Sequence, residues 1–451
     1  MKFELTKELL EQIKHQIEMR NAKFIIDEIG SLHPADIADI VEHLDLNEAK
    51  YLFDNLEEEK AADTLVELDD DYKDKLLETL SAKEIAEHID QLDTDDAADI
   101  LGNLSEDEKD ETIAQMQDKE HASEVIDLLK YDEDSAGGLM QTEFIKARES
   151  WTVKRCVIEL RRQAEDVEKV YSIYVVDDED VLQGILSLKR LLFARPDALI
   201  KDLYRSENIK YVKTYDSKDE VAEIMKKYDL VSIPVVDRQQ KLVGRITIDD
   251  IVDVIQEEAE KDYQLASGIT ENVEATTSVL KNAKSRLPWI LIGILGGILS
   301  SLILTNYEDQ IAINPVLAFF IPLITATGGN VGVQSSAIVV QSLANHDFNP
   351  GGIFKRIFKE MLVGIIIGIT CGALVFGYNY LLNDGDMLMG IIIGTAIFVV
   401  VIIAAIFGTL VPLLLDKIKI DPALATGPFV TTSNDILGLT IYFFIAYLMS
   451  A

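Results

Sequence analysis

Asp435 ends the run DPALATGPFVTTSND (421–435), inside an otherwise apolar C-terminal stretch. The run sets a Gly-Pro break first, then hydroxyls and the Asn434 amide, then a carboxylate. A carboxylate at bilayer depth costs several kcal/mol, ~2.5–3.5 on insertion scales, so it marks an ion path by default. A second polar run, PLITATGGNVGVQSS (322–336), places Pro322, three glycines and several hydroxyls in another apolar stretch. Glycines let helices approach closely. Where they loosen a helix they free carbonyls, which membranes tolerate only when buried or facing water. Carboxylate, hydroxyl and carbonyl oxygens at membrane depth suit a small, hard cation. Asp435 reads as the only ionisable residue deep inside any apolar segment. The plain alternative is a polar residue bonded to a neighbouring helix.

Carboxylates also gather before the apolar third. Asp249, Asp250, Asp253, Glu257, Glu258, Glu260 and Asp262 crowd the segment IDDIVDVIQEEAEKDYQLASG (248–268). Side chains this close repel one another unless cations screen them. Asp95 and Asp99 add an i, i+4 pair upstream. A solvated acidic face is the competing explanation. From residue 281 onward there are eight Lys/Arg and nine Asp/Glu, against 34 and 69 before it. The chain is thus an acidic part followed by a nearly uncharged apolar part. Such acidity argues against nucleic acid as a partner, because phosphates call for Lys and Arg. Cys156 and Cys371 are far apart and the six histidines form no ligand pairs, so neither residue type suggests a metal site.

The elements that carry these residues can be read from periodicity. Leucine recurs every twelve residues, at Leu32, Leu44, Leu56, Leu68, Leu80, Leu92 and Leu104. Each unit reads as one short helix, and such helices bury their apolar faces by stacking into a superhelix. Residues 171–192 and 231–252 repeat one another at an offset of sixty, with Val175-Val176-Asp177 matching Val235-Val236-Asp237 and Gly184 matching Gly244. Each copy predicts strand, turn, strand and helix, with a further helix before it. Five apolar segments follow, at about 288–306, 313–342, 357–382, 387–415 and 422–449, each near the ~20 residues a bilayer helix needs. Lys281, Lys284 and Arg286 precede the first, Lys355, Arg356 and Lys359 open the third, and Lys417 and Lys419 follow the fourth. Glu308, Asp309, Asp384 and Asp386 fall on the other side. The positive-inside rule then puts the acidic part in the cytoplasm and the C-terminus outside.

The duplicated α/β unit resembles a pair of CBS domains, which implies an adenine nucleotide or an ion as ligand and a regulatory role. With TGGNVGVQSS (327–336) and the run ending at Asp435, the whole order resembles the MgtE family of bacterial magnesium channels. That resemblance implies a multi-domain membrane protein. Its parts are an all-α superhelical N domain (1–130), a tandem α/β CBS pair (131–255), a connecting plug-type helix (256–285) and a five-helix transmembrane domain (286–451). It implies a homodimer in the bacterial inner membrane, with Mg2+ both carried and regulatory, and no catalysis. Asp435 maps onto the pore ligand, lined by Thr327, Gly328, Gly329, Asn330, Gly427, Thr431 and Asn434. Asp63, Asp95, Asp99, Asp229, Asp250, Asp253, Glu258 and Asp262 map onto positions where Mg2+ closes the pore. Two positions depart from the pattern. Gly427 stands where relatives can carry Asn, and Lys261 where they can carry an acidic residue. The physics agrees with the resemblance: Mg2+ keeps its waters and takes few carboxylates, and a twofold axis turns one Asp per chain into two. A coupled transporter for Mg2+, Co2+, Ni2+ or Mn2+ is the alternative. A membrane enzyme lacks a nucleophile–base set in the spans, and an anion channel lacks basic residues at depth.

Overall fold

A computed structural model describes residues 3–450 except 165, 166, 168, 271, 272, 274–277, 345–351, 383–386 and 426. Asp384 and Asp386, used above for orientation, lie outside the described residues. The chain divides into two compact units, Met1–Gln256 and Glu257–Ala451.

The first unit opens with short helices: α1 (Lys7–Glu18), α2 (Ala22–Phe24, continuing as a π-type turn to Ile29), α3 (Pro34–Val41), α4 (Leu46–Phe53), α5 (Glu58–Val66), α6 (Asp70–Leu77), α7 (Ala82–Ile89), α8 (Thr94–Asn103), α9 (Glu106–Gln115) and α10 (Lys119–Leu128). The twelve-residue leucines are not inside these helices. Each stands just before an N-cap: Leu44 before Asp45, Leu80 before Ser81, Leu104 before Ser105. This is the hydrophobic-staple position. Full capping boxes follow it at Asp45/Glu48, Ser81/Glu84 and Ser105/Glu108. The repeat therefore encodes how each helix starts. Leu44, Leu68 and Leu92 are buried while Leu32, Leu56, Leu80 and Leu104 are partly buried. That alternation fits a two-layer stack in which helices meet next-but-one: α3 on α5, α5 on α7, α7 on α9, and α4 on α6.

The duplicated unit gives two three-stranded sheets. In the first, β1 (Ile145–Arg148) runs parallel to β2 (Ile173–Val176), which pairs antiparallel with β3 (Leu182–Leu186). In the second, β4 (Val212–Lys213), β5 (Ser232–Val236) and β6 (Leu242–Thr247) repeat the order. The sixty-residue offset extends to detail: Val175 pairs with Gly184 and Val235 with Gly244, each beside a register irregularity. Helices α11 (Val153–Gln163), α12 (Leu188–Phe193) and α13 (Lys218–Tyr228) flank the sheets. After β6, α14 (Ile248–Ala266) carries the acidic run.

Among the described residues, the second unit holds five helices long and apolar enough to cross a membrane. They are α15 (Val279–Asn306), α17 (Val316–Ala344), α18 (Ile353–Leu382), α19 (Met387–Lys417) and α20 (Pro428–Ser450), with the short α16 (Glu308–Ile313) after the first. α17 is continuous through Gly328, Gly329 and Gly332, so these glycines do not open the helix. They let it approach its neighbours. A Cβ at Gly332 would collide with the Asn434 amide, and one at Gly408 of α19 with the Gly332 carbonyl. The Gly-Pro break lies at the start of α20, with Gly427 at φ 59° and Pro428 as the first helical residue. Gly408→Ala should therefore lower the detergent melting temperature, an overpacking cost of about 1–3 kcal/mol. Gly297→Ala, whose added Cβ meets nothing within 4 Å, should not. Equal melting of the two variants would contradict this account of the α17–α19 crossing.

Candidate functional site

Two places gather the chemistry, one in each unit. In the membrane unit, α20 turns Thr431, Asn434 and Asp435 toward α17. Gly329 faces this trio: a Cβ there would lie 3.1 Å from the Thr431 methyl and 3.6 Å from Asp435 Oδ1. Gly328 meets Val400 of α19. Asn434 is buried at 2% exposure, and neither amide atom has a hydrogen-bond partner among the described residues. Asp435 is half-buried. Asn330 is exposed and Thr327 half-buried on α17. Gly427 sits at the helix break, where a Cβ would strike the Ala266 carbonyl at the end of α14. Gly268 likewise presses on Pro428, 2.8 Å from its Cγ to a built Cβ. Thr431 Oγ1 donates to the Gly427 carbonyl at 3.0 Å. The end of the acidic helix and the start of the Asp435 helix are therefore in backbone contact through two left-handed glycines, Gly268 at φ 82° and Gly427 at φ 59°.

Reading Asp435 as the only ionisable residue inside the spans needs correction. Glu360 of α18 is 7% exposed and accepts a hydrogen bond from Ser335 Oγ at 3.2 Å. In the sequence it stands beside Lys355, Arg356 and Lys359.

In the first unit, α8 brings Asp93, Asp95, Asp96 and Asp99 to the start of α14. Asp93 caps α8 without a side-chain bond to its first turn. The Thr94 N–H and hydroxyl instead donate to Glu143, at 3.2 and 3.0 Å. Asp95 is 7% exposed and accepts from Gln141 Nε2 at 3.3 Å. Gln141 Oε1 in turn accepts from Arg245 Nε at 2.7 Å, so the nearest buried cation reaches Asp95 only through an amide. Burial, then Asp96, Asp250 and Asp93, raise the Asp95 carboxyl well above its ordinary range. Burial, with Asp250, Asp93 and Asp99, pushes Asp96 up to about 7 against a small opposing effect of Lys73. Asp250 rises to about 6, mainly through burial, although the Thr247 N–H donates to it at 3.1 Å and holds it down. Asp253 is raised by burial and by Asp249. Glu143 is raised by burial and by Asp93.

Of the regulatory positions mapped from sequence, Asp95, Asp99, Asp250 and Asp253 thus come together. Asp63 is half-buried on α5, and Asp229 is exposed where α13 ends in a left-handed turn at φ 52°. Glu258 is exposed and Asp262 half-buried on the part of α14 within the second unit. Asp93, Asp96 and Glu143 were missed. The run DTDDAAD (93–99) offered four carboxylates, and choosing Asp95 and Asp99 alone ignored the others. The position equivalent to Asp250, sixty residues earlier, is Arg190, so the other copy lacks this carboxylate. Burial and like charge raise the proton affinity of this set, while Lys169 pairs with Asp249 at 3.5 Å and, among the described residues, no three carboxylates stand as one metal-holding group.

Family models match three stretches: an MgtE intracellular N domain at 32–134, CBS domains at 136–197 and 200–257, and a divalent cation transporter domain, MgtE, at 321–445. The chain is 35% identical to the magnesium transporter MgtE of Bacillus subtilis over 71% of this chain and 70% of that one. It is 37% identical to the magnesium transporter MgtE of Thermus thermophilus over 72% of each. Among solved structures, the cytosolic domain of the Mg2+ channel MgtE in complex with ATP superposes with a TM-score of 0.52 and 32% identity. It spans 55% of this chain and all of that one.

The raised carboxylates set a pH dependence. Each binds protons more tightly folded than unfolded, so its contribution is present at low pH and lost as pH rises through about 6–7. With chelator present, the melting temperature of the first unit should fall from pH 5.5 to pH 8, and Asp96→Asn should flatten that fall. Mg2+ should stabilise more at pH 8 than at pH 5.5. A melting temperature that rises with pH in chelator would contradict the cluster.

Proposed function

The chain belongs to the MgtE family of divalent cation transporters, and from that premise we propose that it carries Mg2+ across the cytoplasmic membrane as a channel. The observation that carries this reading is Asp435, half-buried on α20 against the glycine face of α17, with the unpartnered Asn434 amide beside it. Mg2+ sheds water reluctantly, so one carboxylate per chain with waters and few protein oxygens suits it. A homodimer about a twofold axis would present two Asp435 carboxylates to one ion. Gly427, Thr431, Asn434 and the Thr327–Asn330 turn would line the path.

The same reading assigns control to the acidic cluster. Asp93, Asp95, Asp96, Asp99, Asp250 and Asp253 would hold regulatory Mg2+, which offsets their mutual repulsion and keeps α8 against the start of α14. Glu258 and Asp262 would add ligands further along α14, and Asp63 and Asp229 would act from their own helices. A held α14 keeps its end at Ala266–Gly268 pressed on Gly427–Pro428 and so restrains the helix that bears Asp435. Ligand binding shifts this equilibrium only by its differential affinity for the closed form. The CBS pair would take an adenine nucleotide, as the ATP complex of the related cytosolic domain suggests. Orientation follows the basic residues: Lys281, Lys284, Arg286, Lys355, Arg356, Lys359, Lys417 and Lys419 face the cytoplasm, and the C-terminus lies outside.

Asp435→Asn keeps the side-chain shape and removes the charge. Mg2+ flux into vesicles should fall about a hundredfold, as loss of a charge-assisted contact of ~3 kcal/mol implies. Near-normal flux from this variant would refute the pore assignment. In cells, labelling of cysteines placed at Asp309 and at Lys355 should report outside and inside, respectively. The reverse pattern would overturn the orientation.

A further inference from the structure

We propose that Arg356 and Glu360 form a polar clamp that fixes the axial register of α17, and that this clamp positions the glycine face opposite Asp435. The inference rests on the ion path proposed above.

The two residues are an i, i+4 pair, so they share one face of α18. Both reach the cytoplasmic third of α17. Arg356 Nη1 donates to Ser342 Oγ at 2.6 Å, and its Nη2 donates to the Ile338 carbonyl at 2.9 Å. Glu360 Oε2 accepts from Ser335 Oγ at 3.2 Å. The three contact points on α17, at 335, 338 and 342, follow helical spacing, so the clamp grips about two turns of one stripe.

The rest of the packing shows why register needs such a device. α18 is held to α19 by small residues: Gly364 against Ile402, Gly368 against Phe398 and Gly372 against Gly394. α17 is held to α19 at Gly332–Gly408 and to α20 at Gly329 and Gly332. Small residues let these backbones approach closely, and the van der Waals packing that holds them is less directional against axial sliding than a hydrogen bond. Hydrogen bonds are directional and therefore resist it. Ser335 lies three residues from Gly332, whose missing Cβ admits the Asn434 amide. A slip of one residue along α17 would replace Gly332 by Val331 or Val333 and push a branched side chain onto Asn434. Glu360 is also buried at a place where an unneeded carboxylate would be costly. Its one described partner is a hydroxyl on α17, with Arg356 engaged elsewhere.

The hydrogen bond, not the charge, is what positions α17. Glutamine at 360 keeps an oxygen that accepts from Ser335, whereas alanine does not. Full-length protein in vesicles would be assayed for Mg2+ flux against external Mg2+, with flux normalised to folded protein. Glu360→Ala and Ser335→Ala should each raise the half-saturating Mg2+ concentration by about fivefold, the worth of one lost hydrogen bond. The double variant should be no worse than either single, and Glu360→Gln should restore the wild-type value. A purely structural role would lower the number of working copies, and hence maximal flux, without moving half-saturation. Unchanged half-saturation in Glu360→Ala overturns the clamp. So does a Glu360→Gln variant as impaired as Glu360→Ala, because the charge would then act on the ion directly. Absence of Mg2+ flux from the wild-type protein would instead remove the ion path itself.

Discussion

Carboxylates removed from water without a cation beside them are the constraint on which this molecule turns. Desolvation favours the neutral acid, and every like charge nearby adds to the cost. The chain concentrates that cost where α8 meets the start of α14. There Asp95 is buried with an amide for company and Asp96 is raised to about 7. Elsewhere the acidic residues are placed cheaply: Glu84 caps α7 and pairs with Lys50, and its carboxyl is held down to about 2. The contrast within one domain separates carboxylates that cap helices from carboxylates whose burial raises their proton affinity. On the proposed function, Mg2+ is the missing counter-charge, and its arrival converts repulsion into cohesion.

On the proposed function, the consequence of that cohesion would travel along α14. α14 begins two residues before Asp250 and ends at Ala266, where its last turn meets Gly427 and Pro428. Neither glycine at that contact could be exchanged for a larger residue without displacing the other segment. A contact with no side-chain slack transmits small movements of a rod, because packed interfaces switch between arrangements and do not deform smoothly. Asp435 lies two turns beyond it on α20.

Much of this was legible in the sequence, for definite reasons. The sixty-residue duplication was visible because both copies need the same valine pair and the same glycine opposite it in the sheet. The five spans were visible because hydrocarbon demands long apolar runs. The leucine repeat was legible as one short helix per unit, and the structure places each leucine just before an N-cap. Its period is that of helix starts, and a staple leucine looks like a core leucine until the N-cap after it is recognised. The glycines of α17 left two readings open, close helix approach and a loosened helix, and the continuous α17 carries the first. Glu360 was overlooked because its burial depends on Ser335, twenty-five residues earlier in the chain. Asp93, Asp96 and Glu143 were missed for the same reason: only folding shows which carboxylates of an acidic run turn inward.

The most direct test is the dependence of Mg2+ flux on cytosolic Mg2+ in vesicles, comparing the wild type with a variant carrying Asp95→Asn, Asp96→Asn and Asp250→Asn. These amides keep the packing and remove the repulsion that Mg2+ is proposed to offset. The account predicts that wild-type flux shuts off as internal Mg2+ rises, and that the variant has lost that dependence while Asp435 still conducts. A variant that closes over the same Mg2+ range as the wild type would contradict it.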